Sequence, residues 1–295
     1  MFSLKQVDKN TFYVESFANI GVFVYGEKCC FIDSGGDKSS AERALSLIEE
    51  RGLTLEKVFL THSHADHIGG AAFLREKTGC EVYAPGACVP LIEYTSLGPV
   101  TLFGGFPTEE MSSRLIMSEP CECKRLTENV LPNGLEYVHI DGHDFEQVAF
   151  RTSDEVWFCA DGVVGENILE SYKIAFMHNV EKHLNSLERL KTLEGKLFIP
   201  AHDNPLDDIK PLVNDNIENV HFVLDKIKEF CENGVTIDEL LEKIFEEFHI
   251  KLYLTQYELV GHTARSCLAY LKKKGEIACV YQGARLLWKT SREGT

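Results

Sequence analysis

Four residues that can bind a metal ion or carry a proton occur within six positions: His62, His64, Asp66 and His67 in the segment THSHADHIGG. This segment follows the short apolar run KVFLT at residues 57–61, which is typical of a buried strand. Open α/β sheets bind their ligands beyond the carboxyl ends of the strands, so these side chains are expected at a binding edge. Imidazole and carboxylate groups bind zinc, iron or manganese. The segment therefore predicts a metal site rather than a histidine-rich polar loop.

Three more candidate ligands come after other predicted strands. His143 follows a strand at residues 135–140, Asp161 ends the strand VWFCA, and His202 follows the strand KLFI. Alone, each of them would be interpreted as a polar loop residue. With the first cluster they give seven ligands, enough for two metal ions. The other histidines lack this placement and are expected to be structural or solvated: His139, His178, His183, His221, His249 and His262.

The elements that position these residues alternate between strand and helix. Helices are predicted over residues 39–52 and 180–193, with strands at 81–83, 148–151 and 156–160. The C-terminal part has apolar residues at helical spacing over 213–227, 237–248 and 256–274. A hairpin turning at Gln282-Gly283 ends it. Helix, helix and hairpin in this order predict a winged-helix-like domain over 236–295, after a first domain over 1–232.

These motifs resemble those of the metallo-β-lactamase superfamily. THSHADHIGG matches its H-x-H-x-D-H signature, and FIDSGG around Asp33 matches its early aspartate loop. The segments around His143, Asp161 and His202 match its later motifs in the same order. The resemblance covers about residues 1–232 and implies the αββα sandwich of that family, an α/β fold. The C-terminal part resembles the subgroup of hydrolases that includes a lactamase-like mitochondrial ribonuclease.

The resemblance also implies a role for each residue. The implied ligands form two groups that share Asp161 as a bridge: His62, His64 and His143 for one metal ion, and Asp66, His67 and His202 for the other. Asp33 would orient a ligand. The implied ions are two divalent cations, zinc first, with iron or manganese as alternatives. The family often has Gly-His-Gly where this chain has Ala201-His202-Asp203, so the loop at the second ion departs from the pattern.

A hydroxide shared by two metal ions about 3.5–4 Å apart would be the expected nucleophile. The first predicted activity is hydrolysis of a small ester, thioester or lactone, with Asp66 or a metal-bound water returning the proton to the leaving group. A metal-dependent nuclease or phosphodiesterase is the alternative. The net charge of −16, and nine basic against eight acidic residues in 236–295, disfavour binding to nucleic acid. The complete ligand set disfavours a third class, a catalytically dead binding protein.

Residues 94–123 form a Gly-, Pro- and aromatic-rich insert without a clear period. An insert of this length is often functional, so we expect it to shape the substrate pocket. Tyr94, Phe103 and Phe106 are the candidate substrate contacts, and Gly104-Gly105 would allow movement. A dimer contact or a plain covering loop is the alternative, and a homodimer is left open.

The composition limits where the protein can act. The 295 residues are 44% apolar and 26% charged, a globular mix. No uncharged apolar run approaches the ~20 residues that span a bilayer, and the N-terminal residues do not resemble a secretory signal. The ten cysteines include no CxxC pair and are expected to be reduced thiols. The sequence thus predicts a cytoplasmic protein with a small-molecule substrate and no membrane partner.

Overall fold

The larger of two packed β-sheets forms the first half of the molecule. The structure is a computed structural model that describes residues 3–113, 115–166, 168, 169 and 173–291. Within these residues the larger sheet has seven strands, which lie side by side in chain order. Their bounds are β1 Leu4–Gln6, β2 Thr11–Val14, β3 Ile20–Tyr25, β4 Lys28–Ile32, β5 Thr54–Phe59, β6 Glu81–Ala84 and β7 Lys124–Arg125. Strands β1 to β4 pair antiparallel, and β4 to β7 pair parallel.

A smaller sheet packs against the larger one. In the described part of the chain it has four strands in the order β11-β10-β9-β8. Their bounds are β8 Leu135–His139, β9 Val148–Thr152, β10 Val156–Ala160 and β11 Leu197–Pro200. Strands β10 and β11 pair parallel, so both of them end at the same edge. Asp161 and His202 follow those two ends, as the sequence predicts.

Aromatic side chains fill the space between the two sheets. Phe23 and Phe59 come from the larger sheet, and Phe150 and Phe158 come from the smaller one. The rings of Phe59 and Phe150 lie 5.8 Å apart between centroids. All five residues of β10 are buried, because this strand is covered on both faces. A strand in this position is expected to have an uninterrupted run of apolar residues, as β10 does.

Helices cover the outer faces of both sheets. The described helices before the C-terminal part are α1 Lys38–Glu49, α2 Ala65–Ile68, α3 Ala71–Thr78, α4 Val89–Glu93, α5 Leu97–Phe103 and α6 Val180–Leu190. Leu45 and Ile48 of α1 pack on the larger sheet. Leu187 and Leu190 of α6 pack with Trp157 on the smaller sheet. The layers are helix, sheet, sheet and helix, so the predicted αββα class is confirmed.

The C-terminal part contains three helices and a hairpin among its described residues. These are α7 Lys210–Phe230, α8 Ile237–Glu247, α9 Leu254–Lys273, β12 Ile277–Gln282 and β13 Arg285–Thr290. Thr236 caps α8, and Glu239 completes the capping box from the third position of the helix. The elements occur in the predicted order. The winged-helix assignment and the boundaries 1–232 and 236–295 stay predictions.

The insert 94–123 has more regular structure than its sequence suggests. It contains α5 and a single 3₁₀ turn at Glu109–Ser112. Gly98 and Pro99 stand in the first turn of α5 and obscure its helical period, although proline is tolerated at that position. None of the described helices combines the length and apolarity needed to cross a bilayer. The ten cysteines are all free thiols.

Gly21 on β3 is required by the contact between the sheets. A Cβ at this position would lie 2.7 Å from the ring of Phe158. We expect Gly21→Ala to lower the free energy of unfolding by about 1–3 kcal/mol, because overpacking forces side chains out of their rotamers. Gly105→Ala is the matched control, since its Cβ would have its nearest neighbour at 3.9 Å. Urea unfolding of both variants tests this, and equal midpoints would contradict it.

Candidate metal centre

The loop after β5 carries the H-x-H-x-D-H segment at the carboxyl edge of the larger sheet. His62 lies in a bend after the strand and His64 has extended backbone, and the short helix α2 then presents Asp66 and His67. The loop is held against its neighbour because the backbone N–H and the hydroxyl of Ser34 both donate to the carbonyl of His67. Gly69 is needed here, since a Cβ would overlap the carbonyl of Gly36.

One group of potential ligands contains His62, His64, His143 and Asp161. One donor atom from each lies within 4.8 Å of the others. His143 Nε2 is 2.8 Å from His64 Nδ1 and 3.2 Å from Asp161 Oδ2. Three imidazoles and one carboxylate therefore converge from the ends of three strands.

A second group contains Asp66, His67, Asp161 and His202, again within 4.8 Å of one another. His202 Nε2 lies 3.2 Å from Asp66 Oδ2 and 3.4 Å from Asp161 Oδ1. His67 Nε2 lies 3.4 Å from Asp161 Oδ2. Asp161 belongs to both groups, so the structure brings all seven sequence-predicted ligands together around one shared carboxylate.

The second nitrogen of four imidazole rings is fixed by a hydrogen-bond partner outside the cluster, and for His62 Nδ1 this partner is the hydroxyl of Thr61 at 2.9 Å. His67 Nδ1 is 2.8 Å from Asp33 Oδ2, and His202 Nδ1 is 2.7 Å from the carbonyl of Phe17. His143 Nδ1 is 3.0 Å from the carbonyl of Phe176. Such contacts set the tautomer, leaving Nε2 free to face the cluster. Asp33 lies where the resemblance places it, and its φ of 63° is a left-handed conformation that a non-glycine residue rarely adopts.

The centre of the cluster contains buried polar atoms without hydrogen-bond partners. These atoms are His62 Nε2, His67 Nε2 and Asp161 Oδ1. Asp161 Oδ1 is within ion-pair distance of His202 Nε2, at 3.4 Å, but it accepts no hydrogen bond. An unmet buried polar group costs about 1–3 kcal/mol, so three of them at one point require a ligand. A divalent cation fits this set, because imidazole nitrogens and carboxylate oxygens are its usual ligands.

The pKa values of the cluster indicate which ligands are already deprotonated and which would lose a proton when a cation binds. Burial and the neighbouring His143 lower the pKa of His64 to about 4, which leaves its ring neutral near pH 7. Burial opposes the charge of Asp66, but His67 and the hydrogen bond from His202 outweigh it and lower its pKa to about 2. Burial also opposes protonation of His202, yet the charge of Asp161 outweighs it and raises the pKa to about 10. Metal binding at this site should therefore release protons.

Three polar residues beside the cluster were not recognised in the sequence. Asp144 and His178 lie with His64 in a further group of donors within 4.8 Å. His178 Nδ1 is 2.7 Å from Nε2 of His262 on α9. The sequence suggested structural or solvated roles for His178 and His262, because neither follows a strand. Asp144 accepts hydrogen bonds from the N–H and the hydroxyl of Ser63. In the sequence, the one signal for it was its position directly after His143.

The three aromatic residues proposed as substrate contacts do not line the cavities beside the cluster. Tyr94 is 66% exposed and Phe106 is 93% exposed. Phe103 is half-buried at the end of α5 but is absent from the described cavity walls. The reason is the helical period of α5, which turns Gly98 and Leu102 toward the cavity. The insert does border the cavity, through these other residues.

Comparisons with known proteins agree with this geometry. Residues 13–202 match the family model described as the metallo-beta-lactamase superfamily. The chain is similar to a hydroxyacylglutathione hydrolase of Rhodopseudomonas palustris, 41% identical over 81 residues, which are 25% of this chain and 32% of that protein. It is 23% identical to a hydroxyacylglutathione hydrolase of Haemophilus ducreyi over 59% of this chain and 62% of that protein. The chain thus spans less than two thirds of either relative.

A solved structure extends the likeness to nearly the whole chain. A beta-lactamase domain protein from Burkholderia ambifaria is 17% identical, with a TM-score of 0.74 over 98% of this chain and 94% of that one. At this identity the match shows the fold alone. The family model covers more than half of this chain, and the chain belongs to the metallo-beta-lactamase superfamily. The family and the histidine–aspartate cluster together indicate a metal-dependent hydrolase.

A metal ion should stabilise the protein by binding to the cluster. At a free concentration 100 times Kd, a ligand specific to the folded state adds about 2.7 kcal/mol. We expect Zn²⁺ to raise the unfolding temperature of chelator-treated protein, and His67→Ala to reduce that increment strongly. His221→Ala is the control, because His221 is exposed on α7. Differential scanning calorimetry with and without Zn²⁺ measures the increment, and an equal increment in both variants would contradict this assignment.

Proposed function

We propose that the protein is a dinuclear metal-dependent hydrolase of small esters, thioesters or lactones. The observation that carries this proposal is the seven-residue cluster with its unpaired buried atoms His62 Nε2, His67 Nε2 and Asp161 Oδ1. The cluster lies beside cavities whose walls are mostly apolar. A reactive metal site next to an apolar cavity suits a small organic substrate.

Each group of donors is proposed to hold one divalent cation, with zinc as the first choice. His62, His64 and His143 would hold one cation, and the second group described above would hold the other, with Asp161 between them. Asp33 would fix the ring of His67 through its hydrogen bond to Nδ1. When bound, the cations supply a water nucleophile that is ionised near neutral pH and withdraw charge from the attacked carbonyl.

The residues of the chain then have defined tasks in hydrolysis. The oxygen of water forms a bond to the acyl carbon, the acyl–oxygen or acyl–sulfur bond breaks, and the proton from water goes to the leaving group. Asp66 is the proposed carrier of that proton at Oδ2, since this oxygen points into the cluster within 3.2 Å of His202 Nε2. Its pKa, lowered to about 2, keeps the carboxylate ionised at rest, so it would hold the proton only in passing before the leaving group takes it.

The named relatives favour thioesters within this substrate class. Both are called hydroxyacylglutathione hydrolase, and an acylglutathione is a thioester. The alternative of a nuclease or phosphodiesterase is less favoured, because the chain carries a net charge of −16 and polyanions need basic surfaces. A cytoplasmic location and a homodimer stay predictions from the sequence.

Substitution of the shared ligand Asp161 and of His64 in the first group tests the proposed activity. Removing a residue that hydrogen-bonds to a metal ligand lowers metal affinity or activity about 10–100-fold. Asp161→Ala and His64→Ala remove a ligand itself, so they should lower kcat/KM by more than this. Both positions lie at strand ends, so circular dichroism should show a retained fold. His221→Ala is again the matched control and should leave turnover unchanged.

The substrate panel contains a neutral thioester, a p-nitrophenyl ester, a lactone and a short RNA, each assayed with zinc-loaded protein. Turnover of an ester, thioester or lactone that is lost in Asp161→Ala would support the proposal. Full turnover in that variant would refute it, and cleavage of RNA alone would favour the nuclease.

A further inference from the structure

Two cavities open on either side of the metal cluster and meet at the same residues. His143 and Asp161 border both of them, and so do Phe176, Gln256 and Leu259. We call the first the apolar lobe and the second the polar lobe, because the second, although mostly apolar, has more polar groups in its wall. Because the two lobes share the cluster, a substrate whose scissile bond lies at the cluster would extend one arm into each lobe.

The apolar lobe suits a hydrocarbon group. Its wall includes Val164, Ile168, Leu169, Ile174, Ala175 and Val260, and its volume is about 210 Å³. An apolar cavity of ~150 Å³ is already large enough to hold benzene, so this lobe has room for an acyl group of about six carbons. Burial of each methylene group is favourable, so binding should improve with chain length until the lobe is full.

The polar lobe suits a different part of the substrate. Its volume is about 280 Å³, and hydroxyl groups of Ser63, Thr95 and Tyr253 contribute to its wall. The carboxylates of Asp66 and Asp144 also line it. Asp66 is one of the proposed metal ligands, so Asp144 is the carboxylate in this lobe whose charge a metal ligand role does not offset. Its charge disfavours a leaving group that carries its own carboxylates.

The ridge between the lobes comes largely from the C-terminal part of the chain. Gln256 and Leu259 belong to α9 and line both cavities, as does Phe176. The carbonyl of Phe176 is bonded to His143 Nδ1, and its ring stacks on His262 of α9 with centroids 5.3 Å apart. The C-terminal helix is thereby connected to the cluster and helps to define both lobes.

We infer that the substrate is an uncharged ester or thioester with an apolar acyl group of about six carbons, held in the apolar lobe, and a neutral polar leaving group, held in the polar lobe. This inference rests on the proposed function, because hydrolysis requires the cluster to act on the bond between the two arms. It differs from the substrate in the names of the relatives, because glutathione carries two carboxylates. It also assigns a substrate-binding role to α9, a helix outside the matched residues 13–202.

Thioesters of the neutral thiol N-acetylcysteamine test the inference with zinc-loaded full-length protein. From acetyl to hexanoyl, kcat/KM should rise about fourfold for each added methylene, the factor expected for its burial. The hexanoyl thioester of N-acetylcysteamine should also be preferred to that of glutathione. A flat or falling series, or a preference for the glutathione thioester, would overturn the inference while leaving hydrolase activity in place.

Matched variants assign the effect to one lobe. Val164→Phe adds a ring to the apolar lobe and should remove the gain in kcat/KM from butanoyl to hexanoyl. Leu102→Trp adds bulk only to the polar lobe and should leave the chain-length series unchanged. If both variants altered the series equally, the acyl group would not be in the apolar lobe.

Binding of methyl ketones gives a measurement that does not depend on turnover. Isothermal titration calorimetry should show 2-octanone binding more tightly than 2-butanone, with the difference lost in Val164→Phe. Length-dependent binding without hydrolysis of any ester would support the lobe assignment and contradict the proposed function. Equal binding of the two ketones would overturn the lobe assignment itself.

Discussion

The unpaired buried atoms at the centre of the cluster are the constraint on which the rest of the structure depends. His62 Nε2, His67 Nε2 and Asp161 Oδ1 are hidden from water and have no hydrogen-bond partner. Leaving such groups unmet costs free energy that other contacts must offset, and a bound cation removes that cost. The cluster must nevertheless be held in place as the chain folds. The parallel strands bring the loops to one edge, and the outer hydrogen bonds of Asp33 and two backbone carbonyls fix the rings. These buried atoms without hydrogen bonds would therefore favour the binding of a cation at the site.

Much of the fold was predictable because its elements carry local signals. The amphipathic period of the C-terminal helices gave the first of them as 213–227 and the last as 256–274, against 210–230 and 254–273 in the structure. The seven ligands were predictable for a related reason. Each follows an apolar strand, and the carboxyl ends of parallel strands collect at one edge, so position along the chain implied position in space. The predicted αββα class is confirmed, and the family model independently matches residues 13–202.

The walls of the cleft were not predictable, because they depend on contacts between distant parts of the chain. His178 and His262 are 84 positions apart and meet only when α9 packs beside the cluster. The role of residues 94–123 in substrate binding stays a prediction, but Tyr94, Phe103 and Phe106 are not among the residues that line the two cavities beside the cluster. Phe106 was chosen from the sequence because it is aromatic, but it is exposed in the structure. The helical period of α5 determines which residues of the insert face the cavity. The carboxylates of the polar lobe also come from separate segments of the chain, so the sequence did not show that their charges lie in one cavity.

The number of metal ions bound per chain tests the central claim most directly. Two groups of donors share Asp161, and each has the residue types that hold a divalent cation. Protein produced with ample zinc, freed of loosely bound metal by gel filtration and analysed by inductively coupled plasma mass spectrometry should contain close to two zinc ions per chain. A value that stays near zero after zinc loading would contradict the account. A value that stays near one would contradict the dinuclear assignment.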